Sequence, residues 1–242
     1  MRTGHSGLTT PRSVVVADVA NHLNTVETGG RPLRVAVDGI TAAGKTTFAA
    51  EITTALRARG RTVIDVSMDG FHHPRAHRYR QGRDSARGYY EDAYDFETFA
   101  KVVLSPLGPG GDRRYRPAII DLFTDTPVDE PPHVADPRSI LVVDGSFLQR
   151  DLSDLWDVVV FVNTSFETAK ARGTLRDAAQ FSSPVDAEDT YRTRYHAANR
   201  LYLDEVQPAI RADVVIDNDD IDHPILRYNE RRQPTIPDPQ ST

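Results

Sequence analysis

The sequence predicts an α/β fold: a doubly wound parallel sheet covered by helices on both faces, in three α/β/α layers. Three observations carry this expectation. Short apolar runs recur along the chain, helical patterns separate several of them, and one run passes through a glycine-containing turn directly into a helix. Strands that alternate with helices require right-handed βαβ crossovers, which bury the strands on both sides and make them read as unbroken apolar runs.

In chain order, Thr10-Pro11 followed by Val14, Val15, Val19 and Leu23 reads as a capped amphipathic helix with proline at its first position. Leu33 to Val37, between Pro32 and Asp38-Gly39, reads as a buried strand. Lys45 to Arg59 follows as a helix closed by Gly60. Further strands are expected at Thr62 to Val66, Ser139 to Asp144, Val158 to Val162 and Ala212 to Asp217, with helices around Phe96 to Leu104, Phe166 to Ala178 and Ala187 to Val206. Two stretches rich in Pro, Gly and Asp, Pro106 to Arg116 and Thr124 to Pro137, bracket a short strand near Ala118 to Leu122 and are expected to form a substrate-side flap. The chain therefore divides into an N-terminal helix with a flexible start (1–30), one domain (31–220) and a partly disordered tail (221–242). The end of that tail, Arg231 to Thr242, is rich in proline and poor in apolar residues.

Composition narrows the function classes. A hydrophobic share of 39% and a charged share of 26% over 242 residues are those of a packed globular domain. The formal net charge of −6, without any dense run of Lys and Arg interleaved with aromatics, argues against a nucleic-acid groove and for a small-molecule partner. No cysteine is present, which removes disulfides, thiolate metal sites and cysteine nucleophiles. No segment has membrane-spanning length, and Asp18 interrupts the early apolar run before a signal-peptide core could form. A cytoplasmic protein is expected, and a homo-oligomer is compatible with the composition.

Gly39-Ile40-Thr41-Ala42-Ala43-Gly44-Lys45-Thr46 matches G-x-x-x-x-G-K-[ST] between a strand and a helix, the context in which a P-loop cradles phosphates. Gly39, Thr41, Ala42, Ala43, Gly44, Lys45, Thr46 and Thr47 are accordingly the expected ATP contacts. Backbone amides and a helix N-terminus face the anion, Lys45 supplies a mobile charge, and the Thr46 hydroxyl is placed for Mg²⁺. Lysine occurs only at Lys45, Lys101 and Lys170, none within an N-K-x-D guanine motif, so a GTPase is disfavoured. No L-S-G-G-Q stretch of a transport ATPase is present either.

Two carboxylates stand at predicted strand ends. Asp69, in Ser67-Met68-Asp69-Gly70-Phe71-His72-His73, is placed to accept the proton of an attacking hydroxyl and to help position Mg²⁺. Asp144 ends Ile140-Leu141-Val142-Val143 in the manner of a Walker B metal ligand.

These residues resemble the uridine kinase and phosphoribulokinase group of P-loop kinases, which includes bacterial pantothenate kinases and nicotinamide riboside kinases. The likeness runs from about Leu33 to Asn218. It rests on the P-loop, Met68-Asp69-Gly70-Phe71, Asp92-Ala93-Tyr94-Asp95-Phe96, Val143-Asp144-Gly145 and the late strand Ala212-Asp213-Val214-Val215-Ile216-Asp217. The resemblance implies Asp69 as base, Asp144 at the metal and a mobile arginine-bearing lid near Arg172 to Asp186. Arg172 and Arg176 are its expected charge-neutralising arginines, with Arg192 and Arg194 as possible substitutes. Uridine kinases carry an Asn-Phe-Asp-His-Pro-like stretch where this chain has Gly88-Tyr89-Tyr90-Glu91. Phe71, His72, Tyr90 and Glu91 are therefore the candidate acceptor contacts. The expected function is ATP- and Mg²⁺-dependent phosphoryl transfer to a small hydroxyl compound, a nucleoside such as uridine first. Pantothenate, nicotinamide riboside or a sugar phosphate is the alternative, and an ATP-binding regulatory protein without transfer is the rival of another class.

Overall fold

The computed structural model describes residues 10–229 and places a six-stranded sheet between two helical layers. The strands of this sheet are β1 (Leu33–Gly39), β2 (Val63–Ser67), β7 (Ile140–Gly145), β8 (Val158–Asn163), β9 (Val214–Asp217) and β10 (Ile225–Tyr228). The short β3 (Arg114–Tyr115), β4 (Ile120–Asp121), β5 (Thr126–Pro127) and β6 (His133–Val134) form two separate pairs, β3 with β6 and β4 with β5, in the region expected to be a flap. The helices are α1 (Arg12–Thr25), α2 (Lys45–Ala58), α3 (Arg75–Arg78), α4 (Ala86–Asp92), α5 (Phe96–Phe99), α6 (Phe166–Arg176), α7 (Pro184–Thr190), α8 (His196–Val206) and α9 (Pro208–Arg211). Single π turns continue α5 at Ala100–Leu104 and join α7 to α8 at Tyr191–Tyr195.

The sheet order is β10-β9-β8-β1-β7-β2, parallel throughout except for β10, which runs antiparallel to β9. Alternation along the strands divides the core in two. Leu33, Val35 and Val37 with Ile140 and Val142 pack under α1 and α2, while Ala36, Leu141, Val143 and Phe161 pack against Phe99, Phe147 and α8. Both faces of β1 and β7 are covered, and each residue of these two strands is buried, which is why they read as apolar runs.

Two expectations change. Strand β10 lies beyond residue 220, inside the stretch read as tail; its four residues pair with β9 from Ile225↔Asp217 to Tyr228↔Val214. The expected disorder of 231–242 lies outside the described residues, as does the start of the chain before residue 10. At α1, Pro11 stands just before the first helical residue and no side chain caps the helix; the amide of Arg12 instead donates to the Asp222 carbonyl at 2.8 Å. Among the described residues, no helix is long and apolar enough to cross a membrane.

The start of β1 is fixed by ion pairing. Asp157, before β8, accepts two bonds from Arg31 at 2.7 Å each, and bonds from the Arg34 amide at 2.9 Å and guanidinium at 3.0 and 3.1 Å. Burial raises the Asp157 pKa, but the bonds from Arg31 and Arg34 outweigh it and hold the carboxyl at about 2. A folded-state pKa below the unfolded one contributes stability that is present above pH 4 and lost as pH falls toward 2, about 2 kcal/mol in all. Asp157→Asn should therefore lower the unfolding free energy at pH 7, and the gap between wild type and variant should shrink at pH 2. Urea denaturation at the two pH values measures this, and an equal gap at both would show that the pair does not act through its charge.

Candidate active site

The register of the central strands gathers the site. Val37 of β1 and Ser67 of β2 both stand level with Asp144 of β7, so the chain leaves all three strands at one carboxyl edge. Ligands of open α/β sheets bind at that edge.

From β1 the chain turns through Gly39 to Gly44 and enters α2. A Cβ on Gly39 would lie 2.5 Å from the Val162 carbonyl oxygen, so no larger residue fits beside β8. Ala42 holds a left-handed φ of 64°, a conformation that costs of order 1 kcal/mol for a non-glycine residue and has to be enforced by its surroundings. Those surroundings are specific. The Ala43 carbonyl accepts from Asn218 Nδ2 at 2.8 Å and from Thr164 Oγ1 at 3.2 Å, and Asn199 Nδ2 donates to Thr41 Oγ1 at 3.1 Å. Beneath the loop the fully buried Asp38 carboxylate accepts from the Gly39 amide at 2.8 Å, Gln149 Nε2 at 3.0 Å and the Tyr202 hydroxyl. Burial raises the Asp38 pKa and these three donors oppose it. First-turn amides of α2 have no intrahelical acceptor and face the space the loop encloses.

Lys45 donates to the Ile40 carbonyl at 2.8 Å. Burial lowers its pKa to about 8 against the opposing pull of Asp38, Asp144 and Asp69. Thr46 Oγ1 donates to Asp144 Oδ2 at 2.5 Å. Burial raises the Asp144 pKa, with the Thr46 hydroxyl and the Lys45 ammonium opposing it. Asp69 sits in a 3₁₀ turn, Met68–Phe71, capped by Ser67, whose Oγ accepts the Asp69 amide at 3.3 Å. Its carboxylate is 70% exposed and therefore reachable by a ligand.

Asp69 opens onto a cleft of about 350 Å³ that Thr41, His72, Arg78, Tyr79, Tyr89, Tyr94, Arg176 and Arg194 also line. Burial depresses the His72 pKa, so the imidazole is neutral near pH 7, and its Nδ1 lies 3.2 Å from the Asp69 carbonyl oxygen. Asp69, His72, Arg176 and the P-loop Thr41 thus share one space.

Four other expected contacts lie elsewhere. Phe71 is fully buried, with its ring edge-on to Phe99 at 4.8 Å, because the 3₁₀ turn that exposes Asp69 aims the fourth residue inward. Tyr90 points into the core beside Phe147 and donates to Glu205 at 2.8 Å, while Tyr89, about 100° away around α4, faces the cleft. Glu91 is exposed on the far side of α4 and pairs with Arg87 at 2.8 Å. Arg172 donates to the carbonyls of Asn218 and Asp219 at 2.8 and 2.9 Å, next to the P-loop anchor rather than in the cleft. Arg176 does reach the cleft and is held there by Asp177 at 2.8 and 2.9 Å.

Tyr89, Tyr94 and Tyr191 in the cleft, and Asp38, Asn199 and Asn218 behind the P-loop, are not singled out by the sequence, whereas Arg78 and Tyr79 fall in the arginine-rich stretch Arg75 to Arg87, whose composition suits an anionic acceptor. Of those not singled out, only Asp38 had a signal: Val37-Asp38-Gly39 repeats the apolar-Asp-Gly ending of Val143-Asp144-Gly145.

Residues 35–218 match the phosphoribulokinase / uridine kinase family. A uridine kinase of Brevibacillus brevis is 25% identical over 191 residues, covering 77% of this chain and 85% of that protein. Among solved structures, a possible uridine kinase from Bacillus stearothermophilus superposes with a TM-score of 0.65 at 24% identity, over 84% of this chain and 97% of that one. A D-glycerate 3-kinase from Cryptococcus neoformans shares the fold at 10% identity and a TM-score of 0.58, over 89% and 97%. Because the family match spans well over half of the 242 residues and includes the P-loop, the strand-end carboxylates and most of the cleft, the chain belongs to the phosphoribulokinase / uridine kinase family of ATP-dependent kinases.

Proposed function

We propose that the chain transfers the γ-phosphoryl group of ATP to a hydroxyl of a small molecule bound in the cleft, with Asp69 as the base. One observation carries this reading: an exposed carboxylate on the cleft wall stands at the same sheet edge as the P-loop, close enough that its charge acts on Lys45.

The oxygen donors of Thr46, Asp144 and Asp69 suit Mg²⁺. Mg²⁺ is commonly held by one or two carboxylates together with the substrate phosphates. When bound, Mg²⁺ neutralises charge developing on the phosphates. The P-loop amides and Lys45 hold the β- and γ-phosphates in place. Asp69 accepts the hydroxyl proton as the acceptor oxygen bonds to the γ-phosphorus and the bond to the ADP oxygen breaks. Arg176 stands at the cleft to offset charge on the transferred group.

Uridine is the first acceptor on this reading, supported by the Brevibacillus relative. Pantothenate, nicotinamide riboside and sugar phosphates are the alternatives; the position of Glu91 outside the cleft leaves a ribose without the carboxylate expected of it, which favours the two that are not ribosides, pantothenate and sugar phosphates. Incubation with MgATP and a panel of these compounds, following ADP release and product mass, tests the proposal. ADP release with one phosphorylated product is expected; ATP binding without transfer to any member would favour a regulatory protein.

Lys45 makes nucleotide binding depend on pH. Phosphate binds the protonated amine, and the free protein loses that proton above about pH 8. The Kd for MgATP should thus rise from pH 7.5 to 9.5 by up to about tenfold per pH unit, whereas Lys45→Ala should bind more weakly at pH 7.5 and show little further change. A flat wild-type profile by fluorescence titration would remove Lys45 from the phosphate site.

A further inference from the structure

We propose that the acceptor carries an oxyanion in addition to its reacting hydroxyl, a phosphate monoester or a carboxylate, and that Arg194 binds it; this rests on the kinase reading above. The charges of the cleft motivate the assignment. Arg176 is held by Asp177 and assigned to the transferred group, and Arg78 is paired with Asp125 at 2.9 Å, with the His73 carbonyl accepting at 3.0 Å. Asp69 serves the hydroxyl and the phosphates. Arg194 remains: among the described residues no carboxylate is paired with it, and its Nε is buried without an acceptor.

The side chain is nevertheless held in position. Its guanidinium lies 5.3, 5.1 and 5.2 Å from the ring centres of Tyr79, Tyr89 and Tyr195, each within cation–π range. The π turn Tyr191–Tyr195 that carries it brings Tyr191, Arg194 and Tyr195 to the same cleft. A buried N–H without a partner is costly, and a planar guanidinium fixed between aromatic rings presents its fork to a bidentate oxyanion with little entropy left to lose. Burial would raise the pKa of the neighbouring Tyr79 phenol, yet a hydrogen bond from Arg78 and the charges of Arg194, Arg78 and Arg83 bring it below the ordinary value. An uncharged nucleoside offers this guanidinium no counter-charge, so the anionic alternatives, pantothenate and sugar phosphates, gain over uridine.

The test uses the full chain loaded with MgAMPPNP, so that the P-loop is occupied. Inorganic phosphate and, in parallel, acetate are titrated while the Arg194 Nε–H resonance is followed by ¹⁵N NMR, with the Tyr79 amide as reporter in the variants. A saturable shift with phosphate identifies a phosphate monoester, and one with acetate a carboxylate; either supports the site. Arg194→Gln should weaken that binding roughly 10- to 100-fold, the equivalent of one charge-assisted hydrogen bond, and leave MgAMPPNP affinity within about twofold. Arg194→Lys, which keeps the charge and loses the fork, should fall between. No saturable shift with either anion, unchanged binding in Arg194→Gln, or a loss of MgAMPPNP affinity in that variant would overturn the proposal. If the wild type failed to bind MgAMPPNP, the kinase reading would fall and the proposal with it.

Discussion

The whole site depends on the parallel register that sets β1 between β7 and β8 and places β2 outside β7. Because Val37, Asp144 and Ser67 share one level, the loop, the Asp144 carboxylate and the turn bearing Asp69 emerge together at the sheet edge. A slip of one residue in either pairing would send Asp144 or Ser67 to the other face and separate Thr46 from its partner. The apolar alternation that divides the core between two helical layers enforces this register, so the packing of Val35, Val142 and Val160 is also what positions the chemistry.

A second layer of polar contacts braces the loop that this placement brings to the sheet edge. Asp38, buried and bonded to Gly39, Gln149 and Tyr202, links the start of the loop to α8 and to the segment after β7. Asn218, beyond β9, holds the Ala43 carbonyl and also accepts from Arg12 at 3.2 Å, so the edge of the sheet and the N-terminal helix brace the same loop. This bracing is consistent with the left-handed Ala42, which an unsupported loop would relax.

The parts of the molecule legible in sequence were those whose residues act at short, fixed spacing. Five of the six main-sheet strands and the P-loop fall into this class, as do the positions of Lys45, Thr46, Asp69 and Asp144, since a strand, a turn and a helix in succession leave little geometric freedom. Strand β10 was not legible, because four residues, three of them exposed, after the acidic stretch Asp217 to Asp222 resemble a tail until β9 is there to pair with them. The cleft was legible least. Whether Tyr89 or Tyr90 faces it depends on the rotation of a seven-residue helix, and Phe71 turns inward through a 3₁₀ turn that no periodicity announces. Arg194 reaches the cleft through a π turn between two helices that the sequence presents as one. Arg172 shows the converse: its spacing from Arg176 is right for a shared helix face, yet backbone carbonyls after β9 claim it.

The central claim is that Asp69 takes the proton of the acceptor hydroxyl while the P-loop holds the nucleotide independently of it. The most direct measurement compares the wild type with Asp69→Asn for MgATP affinity and for the single-turnover rate with the acceptor that yields product. The account predicts an almost unchanged Kd and a rate lower by on the order of 10² or more. An unchanged rate would contradict it.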